Sequence, residues 1–440
     1  MASCGITQVA FLHLYRRYKL ECRPRKENVV KERIIKALAS YHEEISQFTQ
    51  KLVAIPTENP PGTSYRECIE AISAKLRELE ISHRIHEVRE PEGKGSRRGG
   101  HDALYPRFWI QGFYGEGVRT LYFHGHYDVV PASSEEQFNP YLKDGILSGR
   151  GTADMKGGLA AMIYAVRVLR DCDVTLDGRI GLSIVPDEET GGRLGSRSIS
   201  DAGLLGKDGI GMLMPECTSG VIWNANRGAI SLRVRVKGKP AHVGLHYEGI
   251  NAFERMIKVA QALLCLKGEI ESRKTEFRIE PEEARRSILM LGGQCRGGTS
   301  FNLVPAECAF TVERRINPEE DLATEKKRLF DLFDGLRDEG IELEVEVLQE
   351  GSSAGISEQS PIARALAESI EQVTGKPANF EMCPGLCEIR FYAEKGIPAF
   401  AYGPGLLSVA HGPNEYVSLN DIYACAAVYA LTAIGTLGTK

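Results

Sequence analysis

The sequence predicts an α/β protein in which a mostly parallel-sheet domain is interrupted by an inserted ferredoxin-like α+β domain. Its 440 residues exceed what one hydrophobic core organises, so two domains are expected. Four short, almost uniformly apolar runs are separated by helical stretches, as parallel strands buried on both faces are: Leu121-Tyr122-Phe123, Ile180 to Val185, Met212-Leu213-Met214 and Pro398 to Tyr402. Between Gly228 and Leu348 apolar and polar residues alternate instead, the mark of antiparallel strands with one face in water.

The first thirty residues stand apart. Arg16, Arg17, Lys19, Arg23, Arg25 and Lys26 are set against only Glu21 and Glu27, and the apolar patch Val9-Ala10-Phe11-Leu12 is too short for a signal core. Residues 1–30 are expected as a basic, poorly ordered extension, with a targeting segment as the alternative. From Lys31, helical spacing runs through Ile34-Ile35-Leu38 and Ile45-Phe48-Leu52-Val53 until Pro56, Pro60 and Pro61 break it. Further helices are expected from Ser64 to Leu79 and from Leu159 to Leu169. In the insertion, strands at Ile230 to Lys237, Ser287 to Leu291, Cys308 to Glu313 and Leu343 to Val347 are spaced by helices at Ala252 to Leu266 and Glu319 to Leu336. That β-α-β-β-α-β order is the ferredoxin-like split unit. Residues 31–227 and 349–440 thus form one domain and 228–348 the other.

A formal net charge of -5, with no basic stripe interleaved with aromatics outside the N-terminus, argues against a nucleic-acid partner and for a small solute. The eleven cysteines are scattered and no secretory leader is evident, so reduced thiols and a cytoplasmic location are expected. No apolar run is long enough to cross a bilayer, so no membrane partner is expected.

Chemistry collects where the apolar runs end. His126 and Asp128, Glu188 and Glu189, Glu216, and His411 each follow such a run, and open α/β sheets bind ligands outside the carboxyl ends of their strands. Zinc takes imidazole and carboxylate ligands, and His126, Asp154, Glu189, Glu216 and His411 supply five. Two ions about 3.5–4 Å apart need a bridging group, for which Asp154, just before Gly157-Gly158, is the candidate. Asp128 is placed to accept the remaining imidazole proton of His126. Strand alternation points Glu188 and Glu189 differently, so one can bind metal while the other handles a proton. Each has a bland reading alone: an acidic pair as a solvated turn, glycines as turn markers, His411 as a surface imidazole. Their joint order favours the metal site.

At these residues the chain resembles the zinc-dependent amidohydrolase and exopeptidase family of acetylornithine deacetylase, succinyl-diaminopimelate desuccinylase, aminoacylase-1 and glutamate carboxypeptidase. The resemblance runs from about Lys31 onward. It rests on His124 to Pro131, Gly151 to Gly158, Asp187 to Gly192, Pro215-Glu216, Lys239 to His242, Asn302 to Pro305, Glu313 to Arg315, Gly403 to Gly405 and His411 to Glu415. It implies one zinc, with cobalt as a possible substitute, on His126, Asp154 and Glu216, and a second on Glu189, Asp154 and His411. Glu188 is then the general base acting on a metal-bridging water, with Asp128 behind His126. The family's lid carries a histidine that reaches the neighbouring subunit's active site in a dimer and steadies the oxyanion; His242 matches it. Asn302, Arg315 and Gly385 fall where substrate is bound, Arg315 suiting a carboxylate through its planar fork. On a strand, Glu313 shares a face with Arg315 and can orient it; an exposed cross-strand ion pair is the plainer reading. Glu313 and Glu388 replace aspartates frequent in the family, which leaves the substrate open.

The resemblance therefore implies a homodimeric di-metal hydrolase cleaving the amide of N-acyl amino acids in amino-acid biosynthesis, with a dipeptidase or carboxypeptidase as alternative. Two rivals differ in class. Gly351-Ser352-Ser353-Ala354-Gly355 fits the G-x-S-x-G nucleophile pattern, with Glu388 and His411 following in serine-hydrolase order. A metal-binding protein without catalysis is the other, disfavoured by the presence of Glu188.

Overall fold

The computed structural model describes residues 25–88 and 105–440, so most of the basic extension lies outside the described residues. In chain order the main elements of the first part are α1 (Arg25–Ala39), α2 (His42–Val53), α3 (Tyr65–Glu78), β1 (Ser82–Val88), β2 (Arg107–Gly115), β3 (Thr120–His126), α4 (Gly157–Asp171), β4 (Arg179–Val185), β5 (Gly209–Met214) and β6 (Ile222–Asn226). There follow β7 (Gly228–Lys237), α5 (Ala252–Ser272), β8 (Ile288–Gly297), β9 (Glu307–Ile316), α6 (Leu322–Asp338), β10 (Leu343–Gly351), α7 (Pro361–Thr374), β11 (Ala399–Ala401) and α8 (Leu419–Leu437). Helix α1 starts at Arg25, ahead of the expected Lys31. Val30 extends the Ile34 and Leu38 stripe one turn backwards and packs against the same core.

The chain divides into two compact units. The first holds the described residues through Asn224 with Ile356–Phe380 and Phe391–Lys440; the second holds Ala225–Gly355 and Glu381–Arg390. Segment Glu381–Arg390 was expected in the parallel-sheet domain, and its bonds explain the difference. Met382 donates its N–H to the Arg278 carbonyl at 2.6 Å, the Gly385 carbonyl accepts from Arg227 at 3.1 Å, and Met382 is buried with Ala225 and Ile279.

In the first unit the sheet runs β1-β2-β4-β3-β5-β11-β6. Its four adjacent central strands, β4, β3, β5 and β11, are parallel, which puts their carboxyl ends along one edge. β2 pairs antiparallel with both β1 and β4. Every residue of β3 is buried, as its uniform apolarity requires, because helices cover both faces of such a sheet. α4 is buried except at Arg167, Arg170 and Asp171, packing against α8, which in turn packs against α7. Each fully buried Leu, Ile or Phe here contributes about 1.5–3 kcal/mol. At α7 the Ser360 hydroxyl accepts from the Ala363 N–H at 3.2 Å, with Pro361 opening the helix and Gly375 closing it at a φ of 71°.

The second unit is a four-stranded antiparallel sheet in the order β8-β9-β7-β10, with α5 and α6 sharing its core. Alternate residues of β7 and β9 are buried, the period-two pattern of the sequence. β8 extends to Gly297, past the expected Leu291, because its pairing breaks at a bulge between Leu291 and Cys295 where Gly292 adopts a φ of 78°.

Candidate metal centre

His126 closes β3 and is fully buried, its Nε2 3.1 Å from Asp154 Oδ1 and 3.4 Å from Glu216 Oε1. Glu216 lies two residues beyond β5. Asp154 sits in the turn entering α4, where the backbone leaves helical geometry at Asp154 and Met155. Its other oxygen, Oδ2, lies 3.2 Å from His411 Nε2, which is 3.1 Å from Glu189 Oε2. One carboxylate thus faces both imidazoles. The five residues read from the sequence as ligands come together at the strand ends of the first unit.

Asp128 presents two oxygens to His126. His126 Nδ1 lies 3.0 Å from the Asp128 main-chain carbonyl and 3.5 Å from its carboxylate, so the carbonyl is the nearer acceptor. The carboxylate also accepts from Asn59 Nδ2 at 2.9 Å and from the N–H groups of Glu188 and Glu189, both at 3.2 Å. Glu188 and Glu189 are not on a strand. Glu188–Thr190 is a single 3-10 turn opened by Asp187 at a φ of 66°, so the turn and not strand alternation separates the two side chains. Arg107 and the Tyr65 hydroxyl hold the Asp187 carboxylate in place, at 3.2 and 3.1 Å.

Sequence reasoning missed several supports. Glu415 Oε1 accepts the N–H groups of Ala153 and Asp154 at 3.0 and 3.1 Å, and its Oε2 receives Arg150 at 2.6 Å. Arg150 also donates to the His411 carbonyl at 3.1 Å, and the buried Lys156 ammonium is spent on the carbonyls of Leu52 and Ile55. Glu415 lies in a segment quoted for the resemblance, but nothing local tied it to Asp154. The Pro215-Glu216 main chain runs between two glycines. A Cβ on Gly158 would fall 2.1 Å from the Pro215 carbonyl oxygen, and one on Gly403 would fall 2.4 Å from the Glu216 oxygen.

The electrostatics fit a cation-binding site. Burial and the charge of Asp154 push both Glu189 and Glu216 up to about 7. Hydrogen bonds to Asp154 and Glu189 raise His411 to about 11. Burial opposes the charged form of His126, but its contacts with Asp128, Asp154 and Glu216 outweigh this and raise it well above the ordinary value. Asp154 is driven low by the two imidazoles against the opposing effect of burial. Glu189 Oε1, on a side chain only 5% exposed, has no hydrogen-bond partner among the described residues, a donor atom awaiting a cation. Ligand atoms of His126, Asp154 and Glu189 lie within 4.8 Å of one another, as do those of Asp154, Glu216 and Cys217.

The other expected site residues lie in the second unit. His242 is exposed, its Nδ1 accepting from the Gly244 N–H at 3.1 Å, and the Asn302 carbonyl accepts from Val243 at 3.0 Å. Arg315 pairs with Glu313 at 2.7 Å on β9, while Gly385 borders open space. The serine-hydrolase reading fails on local geometry. After Ser353 the chain continues as the short strand Ala354–Gly355 and reaches a helix only at Pro361, so no strand-turn-helix elbow presents the hydroxyl.

A parallel sheet with imidazoles and carboxylates gathered at its strand ends is the frame of a metal-assisted hydrolase. Residues 122–434 match Peptidase family M20/M25/M40, and the chain belongs to that family. Among curated proteins it is 25% identical over 411 residues to N-formyl-4-amino-5-aminomethyl-2-methylpyrimidine deformylase of Halalkalibacterium halodurans, covering 86% of this chain and 91% of that one. It is 27% identical over 337 residues to a probable succinyl-diaminopimelate desuccinylase of Staphylococcus epidermidis, covering 70% and 81%. Its fold matches the di-peptidase Dug1p of Saccharomyces cerevisiae with a TM-score of 0.73 at 16% identity, over 92% of this chain and 98% of that one. Human carnosine dipeptidase 1 follows with a TM-score of 0.71 at 17% identity, over 93% and 99%.

Proposed function

We propose that this hydrolase cleaves the amide of N-acyl amino acids or similar N-acylated small molecules at a centre of two divalent cations, zinc or cobalt. The observation that carries the reading is Asp154, whose two oxygens face His126 and His411 at 3.1 and 3.2 Å. His126, Asp154 and Glu216 would hold one ion, and Glu189, Asp154 and His411 the other. Bound there, the ions supply Lewis-acid chemistry, acidifying water and polarising an amide carbonyl. Glu188 would take a proton from the attacking water and deliver it to the leaving amine, releasing a carboxylate and an amine. Asp128 fixes the Glu188-Glu189 turn through two main-chain N–H groups, so it positions the base. His242 as an oxyanion donor, with Asn302, Arg315 and Gly385 as substrate contacts, belongs to the same proposal. Arg315, steered by Glu313, suits a substrate carboxylate.

The names of the two curated relatives describe removal of formyl and succinyl groups, and these alignments cover most of the chain, which favours a deacylase. The dipeptidase neighbours support a peptidase as the second reading through fold alone. We also propose a homodimer formed through the second unit. Phe253, Ile257 and Leu264 expose a row of apolar side chains on α5, beside the sheet-edge strand β8. No helix among the described residues is long and apolar enough to cross a membrane. The cysteines among the described residues form no disulfide, which fits a cytoplasmic enzyme.

The test is turnover of N-formyl, N-acetyl and N-succinyl amino acids against a dipeptide panel by the zinc- or cobalt-loaded protein, with and without chelator. Chelator-sensitive release of an amine from the acylated compounds is expected. Dipeptide hydrolysis alone selects the second reading, and activity indifferent to chelator overturns both.

A further inference from the structure

The second unit carries a basic cavity on the open face of its sheet. Helices α5 and α6 share a core with Ile230, Leu232, Val234 and Val236 of β7, so the alternate residues Arg233 and Arg235 stand on the opposite face. There Arg235 is directly opposite Ala309 of β9, and Ala309 is directly opposite Arg296 of β8. Neighbouring strands lie about 4.7–4.9 Å apart, so the two arginines flank a gap of about 10 Å whose floor is a methyl group. Arg235, Arg296 and Thr311 line a cavity of about 540 Å³, and the apolar part of its lining includes Pro240, Leu303 and Val304. We propose that this cavity binds a small organic phosphate, with the phosphate between Arg235 and Arg296 and the carbon body against the apolar lining.

The charges decide the class of ligand. Arg235 shares the single Glu346 carboxylate with Arg233, at 3.2 and 2.9 Å, and Arg296 makes no ion pair among the described residues. Glu307, the acid in the lining, is held by Lys237 at 3.2 Å. Two guanidiniums thus flank one gap with less than a full carboxylate between them. A phosphate monoester brings a charge of about -1.5 to -2 and three acceptor oxygens, enough to engage both planar forks at once. A carboxylate brings one charge, which Glu346 already offers Arg235. Thr311 adds a neutral donor: its oxygen accepts the Gln294 N–H at 2.9 Å, which leaves the hydroxyl proton for a ligand. All these residues belong to the second unit, so the proposal does not rest on the metal reading.

Calorimetric titration with phenyl phosphate tests this on the full chain, stripped by chelator so that no bound ion can hold the phosphate. Saturable binding of one phenyl phosphate per chain is expected, and R235A and R296A should each weaken it about ten-fold or more. A309L, which keeps both arginines but fills the floor between them, should abolish binding. Benzoate should bind more weakly than phenyl phosphate. Thermal melting reports whether each variant is folded, and R296A, with no ion pair to lose, keeps the test decisive should A309L fail to fold. No saturable binding by the parent overturns the site, and so does binding that R296A leaves unchanged. Benzoate bound as tightly as phenyl phosphate overturns the phosphate assignment. Chelator-sensitive hydrolysis is a separate readout, so the di-metal reading stands or falls apart from these results.

Discussion

Replacing Gly158 by alanine asks whether the Glu216 end of the centre is clamped by main-chain packing. The added Cβ falls 2.1 Å from the Pro215 carbonyl oxygen and 2.9 Å from Pro215 Cβ. Carbon and oxygen sit about 3.3 Å apart at closest ordinary approach, so α4 and the Pro215 segment must part by roughly 1 Å. No rotamer change relieves an obstruction made by backbone. Retreat is blocked as well, because the Gly403 Cβ position lies 2.3 Å from the Pro215 carbonyl carbon. Two effects of opposite sign compete. Alanine is preferred over glycine in a helix by about 0.5–1 kcal/mol, whereas overpacking costs about 1–3 kcal/mol. With main chain on both sides the upper end applies, and a net loss of about 2 kcal/mol is expected. Glu216 moves with Pro215, past the roughly 0.5 Å that a preorganised site tolerates, so zinc affinity should fall about ten-fold. Urea unfolding of the metal-free protein and a zinc competition titration read the two effects. A G158A variant at least as stable as the parent, with unchanged zinc affinity, refutes the clamp.

Glu188→Gln should keep two metals per chain by elemental analysis while kcat falls about 10²–10⁴-fold; unchanged turnover removes Glu188 as the base. Glu415→Ala strands the buried Arg150 and two main-chain donors, and a loss of about 3–5 kcal/mol is expected in denaturant unfolding. In the metal-free protein, Glu189 and Glu216 stand at about 7 against an ordinary 4.5, and His411 at about 11 against 6.5. Groups raised by folding stabilise below their unfolded values and lose that contribution as pH rises. Stability of the metal-free chain should therefore decline from pH 4.5 to 7, and further above 6.5 through His411, while saturating zinc flattens the slope; a decline unaffected by zinc contradicts the assignment.

Much of the frame was legible because its signals are local. β3 is buried throughout, so Leu121-Tyr122-Phe123 had no reason to alternate, and the candidate ligand at its end followed from where parallel strands open. The insertion's central strands were legible for the same reason, since β7 and β9 each bury one face and show it as period two. What stayed hidden depends on partners far along the chain. Asp128 accepts from Asn59 and from the Glu188 turn, 69 and 60 residues away, so its carboxylate could not be separated in advance from the nearer main-chain carbonyl. The turn exists because Asp187 takes a left-handed φ under the hold of Arg107 and Tyr65. Gly158 reads as a turn glycine until Pro215 is seen against it.

The placement of residues also explains why chemistry is easier to read here than substrate. All five candidate ligands and Glu188 lie in the first unit, while His242, Asn302, Arg315 and Gly385 lie in the second. Metal ligands are constrained in element, distance and number, so their pattern survives changes of acyl group. Substrate contacts need only complement a shape and a charge, and the Arg315-Glu313 pair illustrates how little that fixes. At 2.7 Å the glutamate both orients the guanidinium and competes with any substrate carboxylate for it. On the proposed reading, in which Arg315 contacts substrate, an incoming carboxylate must share Arg315 or displace Glu313, whereas a neutral substrate leaves the pair intact. That makes Glu313 the residue whose replacement by glutamine should separate an acidic substrate from a neutral one. Tighter KM with unchanged kcat marks the acidic case, and no change in KM marks the neutral one.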